Sequence, residues 1–320
     1  MALPVTVYRW DDVGAPQIEE TKPKEWLDVL KACLVNGYGT KAAAGWTIAF
    51  EDALNHKVVF RNSTSLGSGG FVQFWSGDSG NNVTSVLLYK AACGMSGLDG
   101  FIRGGYTEVL KGSSGQDNNK QWMIIATSVS FYFFSLVDNL TIMSKGYYSI
   151  FIGDLDSFIP NDTSRFVGGS GANLDRLADS SISPASQSIF YGDVINFKPK
   201  LYQADGSDIY VNGSGCSDSY FNVLPVEGTE VEHGVPLVLY DVCVFASAAA
   251  SVDSDGTVLM GSKLQPFVRG ILPGLKKSLF RGYLTTPFPY IKNILGVDHM
   301  LVPSLIGYNP NCWINIEAWY

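Results

Sequence analysis

Short apolar runs separated by turn-forming residues recur along most of the chain. In the segment GWTIAF, Trp46, Ile48 and Phe50 are expected to share one face of a strand, because successive side chains of a β-strand point to opposite sides. The joints between runs, such as SLGSGG and SGDSGNN, have the composition of tight turns. The pattern predicts strands at 46–50, 57–61, 71–75, 86–91, 147–152, 193–202, 236–246, 258–261 and 314–319.

One segment near the N-terminus has helical periodicity instead. Trp26, Val29 and Cys33 recur at helical spacing after the sequence TKP, and Gly37 stands where the helix should end. These features predict a single amphipathic helix over about 22–36.

The segment QWMIIATSVSFYFFSLV is an almost unbroken apolar run that is interrupted at Thr127 and Ser128. It predicts a hairpin of two apolar strands. With one helix and about a dozen short strands, the fold class is expected to be mainly β, sandwich or barrel-like.

The composition changes between residues 168 and 188, where large apolar side chains become scarce. A stretch of this kind predicts a long loop or linker. It divides the chain into an N-terminal arm (1–18), a helix plus β domain (19–167) and a second β region (189–320). The second region is also compatible with packing on the first as one unit.

The charge balance narrows the classes of partner. The chain has 320 residues and a formal net charge of −8, which disfavours binding to nucleic acid or to an anionic membrane surface. Apolar residues make up 46% and charged residues only 16%, which also fits a surface that is partly covered by partner subunits.

The cysteines and the N-terminus favour synthesis in the cytoplasm. An odd set of five cysteines without a C-x-x-C pair favours free thiols in a reducing compartment, although an intermolecular disulfide is the alternative. The first residues lack the basic and apolar regions of a secretory signal. The cysteines are Cys33, Cys93, Cys216, Cys243 and Cys312.

The sequence offers little that could carry catalysis. The three histidines, His56, His233 and His299, do not have metal-ligand spacing, so neither an enzyme nor a cofactor is expected. The segment GDLDSFIPND contains three carboxylates that could bind Ca²⁺, and ordinary turn chemistry is the better explanation of them. These weak metal candidates are Asp154, Asp156 and Asp162.

Both ends of the chain carry candidate contact residues. The segment VYRWDDVGAPQI could be an arm that lies on a neighbouring subunit, with Trp10 as its buried anchor and Arg9 paired with a carboxylate. Alternatively, it closes the protein's own sheet and continues into a plain turn. The predicted interface residues are Arg9, Trp10, Asp11 and Asp12 at this end, and Trp313, Trp319 and Tyr320 at the aromatic C-terminus.

An ordered series of segments resembles a family of virion structural proteins of tailed bacteriophages. The series is VYRWDDVGAPQI, VLKACLVNGYGTKAAAGWTIAFED, KVVFRNS, QWMIIATSVSFYFFSL, IFIGDLDSFIPND and FVRGILPGL, and it spans residues 5 to about 275. The segments 161–171 and 276–290 depart from the pattern, which leaves the contacts of this member open.

The resemblance implies a structural role without catalytic residues, in a virion protein that is made in the host bacterial cytoplasm. The implied partners are other virion proteins and copies of the chain itself. A capsid accessory or decoration protein and a tail or baseplate component both remain open.

The alternative function is a carbohydrate-binding module for receptor recognition, which would need exposed aromatic side chains beside Asp and Asn in one cleft. A glycan-cleaving enzyme would instead need a pair of carboxylates in a groove.

Overall fold

The computed structural model describes residues 2–112, 119–137, 141, 143, 146–171, 188–191, 194–215, 239–246, 251–252, 255, 258–259, 268–278, 283, 286–304 and 310–320. The strands of the first half of the chain are β1 (Leu3–Pro4), β2 (Thr6–Arg9), β3 (Thr47–Asp52), β4 (Lys57–Arg61), β5 (Phe71–Ser76), β6 (Leu87–Met95), β7 (Phe101–Gly104), β8 (Glu108–Lys111), β9 (Gln121–Ala126), β10 (Ser130–Leu136), β11 (Gly146–Asp154) and β12 (Asp156–Ser157). The strands of the second half are β13 (Phe166–Gly169), β14 (Phe190–Tyr191), β15 (Val194–Ile195), β16 (Lys200–Tyr202), β17 (Tyr210–Gly215), β18 (Leu239–Ala246), β19 (Ser251–Val252), β20 (Val258–Leu259), β21 (Val268–Ser278), β22 (Ile291–Ile294), β23 (Val297–Leu301), β24 (Cys312–Asn315) and β25 (Ala318–Trp319).

Three antiparallel sheets form the body of the protein. The first sheet has the order β3-β4-β5-β6-β7, with β8 also paired to β6. The second has the order β13-β11-β10-β9-β2. The third has the order β16-β17-β18-β21-β24-β23-β22, with β12 also paired to β21. The predicted mainly β fold class is confirmed.

The second sheet lies in the middle and is buried on both faces. On β9, Ile124 packs in one hydrophobic core with the first sheet, whereas the next residue, Ile125, packs in another core with the third sheet. Every residue of β10 is buried. A strand that is covered on both sides needs apolar residues at successive positions, which explains the unbroken apolar run in the sequence. The predicted hairpin is confirmed as β9 and β10.

The predicted helix is confirmed as an α-helix, α1 (Pro23–Lys31), which continues as a π-helical turn (Ala32–Asn36). The carboxylate of Glu25 accepts the backbone N–H of Lys22 and so caps the first turn. Gly37 follows the last turn with φ of +74°, a conformation that suits glycine. The apolar face of α1 packs into the core between the first and second sheets.

A β-bulge corrects one prediction about side-chain direction. The pairing of β3 with β4 shifts register between Ile48 and Phe50, so that Ala49 is the extra residue. Trp46 and Ile48 share the face that packs in the core, whereas Phe50 packs on the outer side of the first sheet. The expectation that these three aromatic and aliphatic side chains share one face is wrong at Phe50.

Two predicted strands are each divided in the structure. Within 193–202, β15 and β16 are separated by a segment that contains Pro199, which has no N–H to donate. Within 314–319, the side-chain oxygen of Asn315 accepts the backbone N–H of Glu317 and turns the chain between β24 and β25.

The N-terminal segment closes the protein's own sheet. Strand β2 pairs with β9, and β1 pairs with β25 near the C-terminus. Tyr8 is fully buried, and its hydroxyl donates to the carbonyl of Ala42. Of the two alternatives for this segment, the structure therefore has sheet closure rather than a free arm.

Most of the predicted linker lies outside the described residues, and so do Cys216 and His233. Its first two positions, 168 and 169, belong to β13. No helix in the described part of the chain has both the length and the apolar character needed to cross a membrane.

Candidate binding groove

A groove of about 510 Å³ separates the edge of the first sheet from the edge of the third. Strands β6 and β7 supply one wall, and β16 with the turn that connects it to β17 supplies the other. The lining residues are Lys90, Phe101, Ile102, Arg103, Gly104, Lys200, Tyr202 and Asp208. Three of these residues are cationic and one is a carboxylate, so the groove is locally basic in an acidic chain.

The β16–β17 ribbon presents polar and aromatic side chains on one face. In its register, Lys200 pairs with Asn212 and Tyr202 pairs with Tyr210. Because residues two apart on a strand point the same way, these four side chains share a face. The Tyr202 and Tyr210 rings lie 5.3 Å apart between centroids.

A tight turn between β16 and β17 fixes this register. The carboxylate of Asp205 accepts the backbone N–H of Ser207, and Gly206 has φ of +87°, where a glycine is favoured. Hydrogen bonding to the backbone lowers the pKa of Asp205.

Lys200 lies between two tyrosine rings. Its Nζ is 4.8 Å from the ring centroid of Tyr106 and 4.5 Å from that of Tyr210. Both distances are within the range of cation–π attraction. The hydroxyl of Tyr106 donates to the side-chain oxygen of Asn212, which holds that ring against the ribbon. The ammonium is therefore positioned in the groove by aromatic contacts.

Hydrogen bonds tie the two walls together. The hydroxyl of Tyr202 donates to the carbonyl of Gly104 over 2.9 Å, and Arg103 donates to the carbonyl of Gly206. Burial raises the pKa of Tyr202 to about 12, so this hydroxyl stays protonated at neutral pH. On the first wall, Lys90 lies over the ring of Phe101, with its Nζ 5.1 Å from the centroid.

The groove and the adjoining strand β17 combine exposed aromatic surface with charged and amide groups. Tyr210 is 47% exposed, and Asp208 and Asn212 are also exposed. Aromatic faces can stack on flat apolar patches of a ligand, while the ammonium, carboxylate and amide groups can bind its polar groups. The arrangement is suited to binding.

None of these groove residues was singled out in the sequence, because they come from three separate segments of the chain. The local signal was the short alternating pair of runs KLY and YVN around the turn sequence QADGSDI. This signal identifies a hairpin, but it does not reveal which other strand the hairpin faces.

The predicted N-terminal interface residues contact their own chain. Arg9 forms a salt bridge with Asp11, and its guanidinium lies 5.3 Å from the ring centroid of Phe288. Trp10 stacks on the same ring at 5.5 Å. The carboxylate of Asp12 accepts the backbone N–H of Arg9 over 2.8 Å. These residues thus stabilise the turn that follows β2.

The predicted C-terminal interface residues belong to the protein's own core. Trp313 and Trp319 are buried, so in this structure they present no surface to a partner. Tyr320 is partly buried, and its hydroxyl donates to the carbonyl of Asp154 over 2.6 Å. The aromatic C-terminus is docked on its own chain.

The three weak metal candidates have other partners. Asp154 is buried, forms a salt bridge with Arg165, and accepts the backbone N–H of Ser68. Desolvation raises the pKa of Asp154 despite these contacts. Asp162 forms a buried ion pair with Arg269.

Asp156 is the third weak metal candidate, and it is only partly buried. No group of three or more His, Cys, Asp or Glu among the described residues is arranged to hold a metal ion. The Ca²⁺ hypothesis therefore receives no geometric support.

The two described histidines have structural positions. His56 lies in the turn between β3 and β4 with a positive φ, and His299 is buried on β23, where its Nδ1 is 3.0 Å from the carbonyl oxygen of Val297. The four described cysteines are free thiols.

A second concave surface lies on the outer side of the first sheet. We call it the outer apolar face, and it comprises Ala49, Phe50, Phe71, Met95 and Ile102. They line a groove of about 670 Å³ together with polar residues, among them Thr47, Arg61 and Ser68. The bulge in β3 contributes to this surface, because it turns Phe50 outward.

The chain matches no protein-family model, and no curated protein is significantly similar to it. The geometry of the two grooves therefore carries the functional argument.

Proposed function

We propose that the chain is a structural component of a tailed-phage virion, and that it acts through contacts with copies of itself and with other virion proteins. The ordered resemblance to such proteins motivates the proposal. The observation that carries it is the outer apolar face, where Ile102 is exposed and Ala49 and Phe50 are partly exposed beside the edge of a sheet. Both placements, on the capsid or in the tail or baseplate, are compatible with such a surface.

The chemistry of the outer apolar face matches that of protein interfaces. Interface centres are enriched in aromatic residues, Met and Arg. Here Ile102 is 50% exposed, and the guanidinium of Arg61 lies 4.8 Å from the ring centroid of Phe71. A partner that covers this face would bury apolar area and contact Arg61, which lines the same groove.

Exposed apolar hairpin tips could supply further contacts. Leu295, at the turn between β22 and β23, is fully exposed, and Leu54 is 85% exposed in the turn between β3 and β4. A single exposed apolar residue is ordinary, so these tips support the proposal only together with the outer apolar face.

Light scattering on the purified chain and mass spectrometry of purified particles test this function. We expect the unmodified chain to form an oligomer and Ala49→Glu to have a mass closer to that of a monomer. The substitution places a carboxylate on the outer apolar face without removing a core side chain. Val13→Glu is the control, since Val13 is exposed outside this face. A chain that stays monomeric and is absent from particles would refute the proposal.

A second function, recognition of a carbohydrate receptor, is favoured by the groove between the first and third sheets. Asp208 lines this groove, and Tyr210 and Asn212 lie beside it on β17, paired with the lining residues Tyr202 and Lys200. An exposed aromatic ring with Asp and Asn nearby is the arrangement expected of a glycan site. Tyr210→Ala should abolish binding to a glycan array, whereas Phe158→Ala, which removes an exposed aromatic outside the groove, should leave it unchanged. Binding that survives Tyr210→Ala would contradict this function.

A further inference from the structure

We infer that the groove between the first and third sheets selects an acidic sugar unit, one that carries a carboxylate or a phosphate. The inference rests on the second function proposed above and names the class of ligand. It is carried by the position of Lys200 between two tyrosine rings, together with the excess of cations in the lining.

The local charge is opposite to that of the whole chain. Lys90, Arg103 and Lys200 line the groove with a single carboxylate, Asp208, although acidic residues outnumber basic ones by 30 to 22 in the sequence. An excess of one sign of charge along a cleft raises the local concentration of ligands of the opposite sign. In this acidic chain, the groove is therefore a place where an anion is attracted.

The partners of Lys200 leave its charge available. Several other cations of the described chain are paired with carboxylates, as Lys276 is with Asp241 and Lys57 is with Asp99. Lys200 instead contacts the faces of Tyr106 and Tyr210. A ring quadrupole attracts the cation but does not neutralise it, and the ammonium N–H groups can still donate to an anion.

The other groups fit the uncharged part of a sugar. The exposed part of the Tyr210 ring that the Lys200 ammonium does not cover offers apolar surface to a pyranose. The carboxylate of Asp208 can accept hydrogen bonds from sugar hydroxyls. A groove of about 510 Å³ is within the range of small-molecule sites. The sugar ring and its acidic group would thus contact different residues.

An array of matched oligosaccharides tests the inference on the full chain. Each acidic member is a hexuronate, a sialoside or a sugar phosphate. The hexuronate and the sialoside are compared with their methyl esters, and the sugar phosphate is compared with its dephosphorylated form. We expect at least tenfold stronger binding to acidic members than to their neutral counterparts, and weaker binding as salt is added, because the attraction is ionic. Stronger binding to the hexuronate and sialoside or to the sugar phosphate shows whether the groove prefers a carboxylate or a phosphate.

Variants at Lys200 assign the effect to this residue. Lys200→Met keeps an unbranched stem between the tyrosine rings but removes the charge, so it should lose the preference for acidic members while it retains the thermal unfolding midpoint. Lys276→Met, which removes an exposed cation outside the groove, should leave the preference unchanged.

Three results would overturn the inference. Equal binding of acidic and neutral members, or an unchanged preference in Lys200→Met, would refute it while leaving glycan recognition in place. Binding to no member of the array would refute both the inference and the carbohydrate-receptor function, whereas the role in virion assembly would be unaffected.

Discussion

At the residue scale, the chain buries a complete ion pair at the side of the third sheet. The guanidinium of Arg269 donates to the carboxylate of Asp162 through Nε and Nη2, over 2.6 and 2.5 Å. The hydroxyl of Ser157 and the backbone N–H of Ser164 donate to the same carboxylate. Because neither charged group reaches solvent, each depends on the other.

Asp162→Asn tests this dependence. The substitution removes the negative charge and leaves the Arg269 cation buried, so we expect the free energy of unfolding to fall by about 3–5 kcal/mol. Asp241→Asn is the control, because it breaks a partly exposed pair with Lys276 and should cost at most about 1 kcal/mol. Urea unfolding followed by tryptophan fluorescence gives both values. Equal losses of unfolding free energy in the two variants would contradict the conclusion that Arg269 depends on the charge of Asp162.

A second buried charge makes stability depend on pH. The ammonium of Lys111 donates to the carbonyls of Val83 and Ser85, and burial lowers its pKa from 10.5 to about 8. Between these two values the unfolded chain binds more protons than the folded chain at this site. The contribution of Lys111 to the free energy of unfolding therefore rises with pH in that window, and it is constant below it.

Lys111→Met should remove this contribution. We expect the difference in free energy of unfolding between the unmodified chain and Lys111→Met to shift in favour of the unmodified chain as the pH rises from about 7.5 to about 9.5. Lys24→Met, at an exposed residue of α1, should show no such shift. Denaturant unfolding at several pH values in this range measures how this difference in unfolding free energy changes with pH. A difference that is independent of pH would contradict the prediction.

At the element scale, local sequence patterns predict a strand well when its burial follows a regular pattern along the chain. The run that forms β9 and β10 could be recognised because both faces are covered, so apolar residues occur at successive positions. The direction of Phe50 could not be predicted, because a bulge in β3 depends on pairing with β4. Likewise, the long strand β21 contains Pro273, which usually argues against a strand.

Strand β2 provides the element-scale prediction. It covers the edge of β9 and supplies the buried Tyr8, so deletion of residues 2–10 should expose that edge and open the core. We expect loss of cooperative thermal unfolding, measured by circular dichroism. Arg9→Ala, which removes one exposed salt bridge, should unfold cooperatively. A deleted chain that folds normally but fails to assemble would instead support an arm that binds a neighbour.

At the scale of the whole molecule, the candidate groove exists because two sheets distant in sequence meet at their edges. Lys90 and Arg103 come from the first sheet, whereas Lys200, Tyr202 and Tyr210 come from the third. The sequence predicted strands for part of this region, but the pairing of walls depends on how three layers stack. Trp313 and Trp319 were predicted at a subunit interface but lie in the protein's own core. Composition alone does not distinguish an interface from a core, because both are rich in aromatic residues.

The same stacking brings the two ends of the chain together. Substitution of Tyr320 measures how much this contact between the ends contributes to the free energy of unfolding. Strand β1 pairs with β25, and the hydroxyl of Tyr320 is hydrogen-bonded to the Ser130 hydroxyl over 2.8 Å and to the Asp154 carbonyl. Tyr320→Phe keeps the ring and removes both bonds, so the free energy of unfolding should fall by about 1–3 kcal/mol. Tyr210→Phe, at an exposed ring, should change it by less than about 0.5 kcal/mol.

Removing residues 318–320 should cost more than Tyr320→Phe, because it also deletes the buried ring of Trp319, which packs edge-on against Tyr132 at 5.4 Å. Loss of a buried aromatic of this size costs about 3–5 kcal/mol. Denaturant unfolding of the truncated chain and of Tyr320→Phe separates the packing contribution from the hydrogen bonds. If both changes lowered the free energy of unfolding by the same small amount, the C-terminal strand would contribute little to the stability of the fold.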